Sequence, residues 1–300
     1  DAVRDFLIAK KAPDTLRVFV NTFLAETWED AGETVGDIRF DDREEEFGAN
    51  IPDDIVVITA GIDVQDDRLE LELVGWGRDE ESWSLDYKTL YGDPSTPHLW
   101  NDLDNILKAS YTTESGRSLG IRAACVDSGG HYTQAVYNFV RPREGRRIFA
   151  IKGMAGEQRP LVGRPSKNNI GKIKLFTVGT FPIKELIFSR LKIQSEGAGY
   201  CHFPAGRSDE YYQQLANSEK IVTKYQKGFP RREFVKTRTR NEALDCRVYA
   251  YAALCILSLN INAVADRVVN APEPETEPQP QQPNPLARRP RQGGFVNSWR

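Results

Sequence analysis

A chain of 300 residues that is 40% hydrophobic has room for one large domain or two small ones, each with an ample core. It has no run of roughly 18 apolar residues and no signal-like segment, which excludes a conventional membrane helix. Its four cysteines are scattered without a C-x-x-C pair, which argues against a Cys-type zinc site and for buried thiols over disulfides.

The net charge is only −3, but it is unevenly spread. Ala25 to Asp54 holds twelve acids against Arg39 and Arg43, whereas Gly156 to Lys174 holds five basic residues against Glu157. A nearly neutral total can therefore conceal a local anion-binding surface. The chain opens on Asp1 and contains a single methionine, Met154, so it reads as a fragment or a processed product.

Residues 1–50 read as an approach segment. Leu16, Phe19, Val20, Phe23, Leu24 and Thr27 recur at helical spacing, predicting an amphipathic helix over Pro13 to Glu29, opened by its proline. The acidic run Asp41 to Glu46 reads as a solvated linker; a mimic of nucleic acid lying in a basic groove is the second reading.

From Ile55 a nearly continuous apolar run leads to Asp63, which predicts a strand buried on both faces with an acid at its far end. After the polar turn Gln65 to Arg68, Leu69, Leu71 and Leu73 alternate with Glu70 and Glu72, predicting a second strand with one wet face. Trp83, Leu85 and Tyr87 predict a third, completing an antiparallel meander. Leu99 to Ala109 predicts a helix. Ile121 to Val126 predicts a fourth strand, ending in Asp127-Ser128-Gly129-Gly130 and a helix over His131 to Val140. Arg147 to Lys152 predicts a fifth strand, reached by a right-handed crossover.

Between residues 155 and 240 the pattern is weaker. Lys174 to Thr180, Tyr200 to Phe203 and Glu233 to Lys236 are strand candidates, and Pro182 to Leu191 reads as a helix. Asn241 to Leu259 predicts a long helix with a wide apolar stripe. Beyond Ala271 the chain is rich in Pro, Glu and Gln and ends with several arginines, the composition of a disordered tail.

Three acids occupy comparable settings. Asp63 ends the first strand, Asp127 ends the fourth, and Asp245 lies on the first turns of the long helix. If the two strands are neighbours, their ends lie about 5 Å apart, and a helix packed across that edge brings Asp245 to the same point. Three carboxylates there repel one another, and a divalent cation removes the conflict. Oxygen donors open to water suit Mg²⁺ or Mn²⁺. Two such ions favour phosphodiester hydrolysis.

Glu242, three residues before Asp245, is a secondary ligand candidate, and Asp66 in the turn after the first strand a weaker one. The plainer readings are a strand-end cap for Asp63, turn chemistry for Asp127, and surface pairing of Asp245 with Arg240 or Arg247. Lys152, Arg159, Arg164, Lys167, Lys172 and Lys174 suit contact with a DNA backbone, against the plain reading of a solvated loop. His98, His131 and His202 make no metal pattern, and Gly171-Lys172 lacks the rest of a phosphate-cradling ATPase loop.

The phrases TAGIDVQDDRLELELVGWG, EESW, CVDSGG, IKG and RNEALDCRVYAYAAL occur in that order, and LRVFVNTFLAETWE precedes them. Together they resemble the nuclease half of phage terminase large subunits of the GpA type, over roughly residues 13–260. The resemblance implies an α/β, ribonuclease-H-like mixed five-stranded sheet flanked by helices, with a strand and helix insertion before the last helix. The chain as a whole reads as an approach segment (1–50), a nuclease domain (51–262) and a Pro-rich tail (263–300). The resemblance also implies a metal-dependent endonuclease that cuts concatemeric double-stranded DNA in the host cytoplasm, with Asp63, Asp127 and Asp245 as the metal-binding acids and two Mg or Mn ions as cofactors. Implied partners are DNA, the terminase small subunit and the portal of the procapsid, the last through the tail. The family's ATPase domain would precede Asp1. The rival readings are a Holliday-junction-resolvase-like nuclease and a non-catalytic module docking motor to capsid.

Overall fold

The computed structural model describes residues 2–10, 16, 18–25, 40, 43–167, 173–226 and 229–269. In chain order the elements are α1 (Ala2–Ala9), β1 (Glu44–Glu45), β2 (Val57–Val64), β3 (Arg68–Trp76), β4 (Ser82–Tyr91), α2 (Pro97–Ile106), β5 (Ser110–Thr112), β6 (Ser118–Asp127), α3 (Thr133–Val140) and β7 (Ile148–Met154). Then come β8 (Ser166–Lys167), β9 (Lys174–Gly179), α4 (Thr180–Leu191), β10 (Cys201–Pro204), α5 (Asp209–Ala216), β11 (Glu219–Gln226), β12 (Phe229–Lys236), α6 (Glu242–Leu257) and α7 (Ile261–Val269).

The five expected strands form the centre of a mixed sheet, in the order β4-β3-β2-β6-β7. β2, β3 and β4 are the antiparallel meander, while β6 and β7 run parallel to β2. The sheet is wider than predicted, with ten strands among the described residues. β9 and β8 extend it beyond β7, and β10 and β1 extend it beyond β4, so strands of the insertion add to both sides and the N-terminal β1 lies outermost on one. β11 and β12 form a separate hairpin.

Alternation along the strands feeds two cores. Ala60, Ile62, Leu71, Ala124 and Val126 face α2 and α3. Val57, Val74, Trp76, Ala123 and Cys125 face α4, α5 and α6. α6 is rich in alanine, which favours helix and permits close packing. It is buried on nearly every side, where a stripe was expected. No single helix among the described residues is long and apolar enough to cross a membrane.

The wet face expected for β3 is dry. Glu70 and Glu72 are fully buried beneath α6. Arg247 makes a bidentate pair with Glu72, at 2.7 and 3.1 Å, and Tyr211 Oη and Ser84 Oγ donate to the same carboxylate at 2.6 and 2.8 Å. Arg68 and Arg240 hold Glu70, each at 2.6 Å. Removing one partner of such a pair leaves an uncompensated buried charge, so Arg247→Met should cost about 3–5 kcal/mol. Chemical denaturation checks this; a loss below about 1 kcal/mol would show that Glu72 does not depend on Arg247. The double change with Glu72→Gln should recover much of the loss.

The acidic run also departs from a solvated linker. Glu44–Glu45 forms β1 against β10, Tyr212 Oη donates to Glu44 at 2.8 Å, and His202 bridges Glu45 and Glu81. Arg43 donates to the carbonyl of Leu191 at 2.8 Å, and Phe40 stacks on Tyr212 with ring centroids 4.4 Å apart. Asp41 and Asp42 lie outside the described residues, as does much of the helix expected over Pro13 to Glu29. Its described part is a π-helical turn, Phe19–Phe23, followed by Ala25 at φ 54°. At the other end α7 continues to Val269, past the expected start of the tail at 263; residues 270–300 lie outside the described set.

Candidate active site

The register of β2 against β6 builds the site. Ile62 pairs with Val126, so Asp63 and Asp127 are the next residues on adjacent parallel strands, at the carboxyl edge of the sheet. Their positions alternate with the α2–α3 core, which puts both on the α6 side.

α6 reaches that edge because residue 61 is glycine. A Cβ there would lie 1.9 Å from the Cys246 carbonyl oxygen and 2.4 Å from the Ala250 nitrogen. Thr59 Oγ1 donates to the Ala250 carbonyl at 2.8 Å and accepts from Trp76 Nε1 at 2.8 Å, pinning the helix to β2. Asp245 precedes Cys246 and so stands over the ends of β2 and β6.

The electrostatics show three acids acting on one another. Burial pushes the Asp63 carboxyl up to about 8; Asp245, Asp127 and Glu242 add to the rise, and a hydrogen bond from Gln65 Nε2 at 2.5 Å opposes it. Burial, then Asp245, raises Asp127 above its ordinary value, against the Gly129 and Ser128 amides and the charge of Lys152. Tyr249, one helical turn past Asp245, is buried and senses all three: burial, then Asp245, Asp127 and Asp63, hold its phenol well above the usual range.

The other candidates separate. Glu242 lies close by, but Arg68 takes one of its oxygens at 2.8 Å and Arg240 the other at 3.3 Å. Asp66 is exposed in the β2–β3 turn and pairs with His131 at 3.0 Å. Arg240 and Arg247 are committed to Glu70, Glu242 and Glu72, so neither is seen paired with Asp245. Its partner is Lys184 of α4, at 2.8 Å, and that same ammonium lies 2.8 Å from Glu219 of β11. Asn241 Nδ2 donates to both Asp245 and Glu219, at 2.8 and 2.9 Å.

Neither Lys184 nor Glu219 stood out in the sequence. The available signal was a lysine on the buried stripe of α4, at helical spacing from Ile187, Phe188 and Leu191.

The donor chemistry suits a hard divalent cation, since Asp63 and Asp127 present crowded carboxylates whose repulsion such an ion would relieve. As placed, however, no three His, Cys, Asp or Glu side chains among the described residues form a closed ligand set. Asp245 is drawn toward Lys184 instead.

Lys152, Arg159, Arg164, Lys167 and Lys174 are exposed, and Lys172 lies outside the described residues. A cleft of about 670 Å³ separates the loop Ala155 to Arg159 from Phe229 to Glu233 of β12. The hairpin therefore adds Arg231, exposed on the far wall, which the sequence reading did not include.

The strand order, the acids at the ends of β2 and β6, and the helix crossing that edge define a ribonuclease-H-like α/β domain. The model of the terminase large subunit gpA endonuclease domain matches residues 1–266, and the chain belongs to that family. It is 34% identical over 261 residues to the terminase large subunit of Escherichia phage lambda, covering 85% of this chain and 41% of that protein. It is also 34% identical over 261 residues to the terminase large subunit of Enterobacteria phage P21, covering 84% and 40%. The chain thus spans about two-fifths of the length of these curated relatives. The crystal structure of the HK97 bacteriophage large terminase aligns with 83% of this chain and 49% of its own, at 12% identity and a TM-score of 0.36.

Proposed function

We propose that this domain cuts concatemeric double-stranded DNA by metal-dependent phosphodiester hydrolysis during phage genome packaging in the host cell. The carrying observation is the registered pair Asp63 and Asp127 at one sheet edge, with Asp245 brought over it by the close approach of α6 at Gly61.

Asp63, Asp127 and Asp245 would hold two Mg or Mn ions, which when bound supply Lewis acidity at the phosphate and a more acidic water. The chain's own residues prepare the carboxylates. Gln65 orients Asp63, and the Gly129 amide fixes Asp127 at 3.0 Å. Asn241 orients Asp245 through its Oδ2, whereas Lys184 occupies its Oδ1. Lys152 stands near Asp127, where its charge favours an anionic backbone. The exposed Arg159, Arg164, Lys167, Lys174 and Arg231 extend that basic surface. The small subunit and the portal are the proposed partners of the complete subunit, with the tail as the portal contact.

Supercoiled plasmid with Mn²⁺ or Mg²⁺ tests the reading. The wild-type domain should nick it, and Asp127→Ala and Asp245→Ala should lower the rate by about 10²-fold or more. A wild type that never nicks, or variants that nick equally well, would refute the reading. Affinity for duplex DNA should fall steeply with salt, with a logarithmic slope of about −4.5 if five cationic side chains meet phosphates. Arg159→Ala with Arg231→Ala should flatten that slope by about 2; an unchanged slope removes the cleft from the interface.

A further inference from the structure

Asp245 is not free to receive a cation. Lys184 Nζ lies 2.8 Å from its Oδ1, and Asn241 Nδ2 lies 2.8 Å from its Oδ2. The lysine is buried, rises from an otherwise apolar helix face, and is equally close to Glu219 Oε1. The second oxygen of that glutamate, Oε2, is buried and has no hydrogen-bond partner. A buried carboxylate oxygen left unpaired is costly, and here it lies on the carboxylate that already shares the lysine with Asp245. The ammonium has three donors on a flexible stem, so it can exchange one acceptor for another without leaving its pocket.

We infer that Lys184 is an internal cation that competes with the divalent metal for Asp245, and that Glu219 is the acceptor to which it withdraws. This inference rests on the reading of Asp63, Asp127 and Asp245 as metal-binding acids. With Asp245 paired to Lys184, one oxygen of the third acid is taken by an internal cation. When the ammonium turns to Oε2 of Glu219, it satisfies that oxygen and frees Asp245 Oδ1 to face Asp63 and Asp127. Lys184 and Glu219 are thus positioning residues. They touch neither substrate nor the reacting atoms, and they set the metal concentration at which the site assembles.

The arrangement requires opposite effects from the two halves of the pair. Lys184→Met removes the competitor and leaves Glu219 as an additional negative charge, so metal binding tightens. Glu219→Gln leaves the lysine with Asp245 as its one carboxylate partner, so metal binding weakens. Damage to the fold alone would weaken binding in both.

The experiment is titration of the purified domain with Mn²⁺, read by calorimetry and by the free Mn²⁺ electron paramagnetic resonance signal. Lys184→Met should bind Mn²⁺ at least about tenfold more tightly and Glu219→Gln at least about tenfold more weakly, a lower bound for one buried unit charge near a cation. Lys184→Met with Glu219→Gln, which removes the competitor but also the extra negative charge, should bind between Lys184→Met and the wild type. The half-saturating Mn²⁺ concentration in the nicking assay should move in the same directions. If Lys184→Met weakens or leaves binding unchanged, the inference is overturned. If Lys184→Met does not fold, Lys184→Gln, uncharged but polar, takes its place: tighter binding supports the inference, and equal or weaker binding overturns it. Asp245→Ala is the control on the underlying reading. If it leaves Mn²⁺ affinity unchanged, the assignment of Asp245 to the metal fails; if it abolishes affinity while Lys184→Met has no effect, only the competition fails.

Discussion

Asp63→Asn should reduce nicking by about 10³-fold or more and, in the absence of metal, make the domain more stable. Both effects follow from the same buried charge. Asn is nearly isosteric and can still meet Gln65, but it carries no charge to hold a cation. The gain in stability follows from linkage. The folded-state value for Asp63 is raised to about 8 from an ordinary 3.8. The folded protein therefore keeps a proton that the unfolded chain has released. The associated stability is fully present below the unfolded value and is lost as pH rises through the folded one. Above pH 8 the wild type carries the whole cost of an ionised carboxylate beside Asp127 and Asp245, and Asn carries none.

Relaxation of the neighbouring side chains reduces that cost to the order of 2 kcal/mol, or about 5 °C in Tm for a domain of this size. Melting curves in a chelator at pH 5 and pH 8.5 should show an advantage for Asp63→Asn that grows with pH. Saturating Mn²⁺ should narrow or reverse it by stabilising the wild type alone. An Asn variant that melts at or below the wild type at pH 8.5 would disprove the crowding of these charges.

Gly61→Ala should be among the most damaging single substitutions in the chain. The added Cβ would meet backbone atoms of α6, at 1.9 and 2.4 Å, and backbone cannot rotate aside as a side chain can. The helix must lift from β2. That would loosen the hydrogen bond from Thr59 to the Ala250 carbonyl and carry Asp245 away from Asp63 and Asp127. Overpacking at a backbone contact should cost about 3 kcal/mol or more, and nicking should be lost even at temperatures where the variant remains folded. Denaturation curves and plasmid nicking at low temperature read the two effects separately. A variant of wild-type stability and activity would mean that the packing of α6 on β2 does not position Asp245.

The central strands and α6 were legible because their signals are local. The apolar run before Asp63 and the Leu/Glu alternation of β3 are periodic over a few residues, and periodicity needs no knowledge of the partner. The antiparallel meander was legible too, whereas the adjacency of β2 and β6 was only a condition until the structure showed it. The same locality explains the errors. Glu70 and Glu72 alternate like solvent-facing residues, and nothing within β3 reveals that Arg247, far along the chain, neutralises Glu72 under a helix. The acidic run around Glu44 reads as solvated for the same reason, because its partners Tyr212 and His202 come from the insertion. β11 lacks a clear alternating pattern and acquires its strand conformation by pairing with β12.

The amino-acid sequence by itself placed Asp63 and Asp127 at the carboxyl ends of two strands and Asp245 at the start of a helix, because each assignment depends on neighbours in the chain. Only the tertiary structure decided that both strand acids face α6, that Gly61 lets the helix close over them, and that Lys184 is shared between Asp245 and Glu219. Those outcomes depend on distances between groups far apart in sequence, where the strength of a charge is set by burial and by partners that local pattern does not encode.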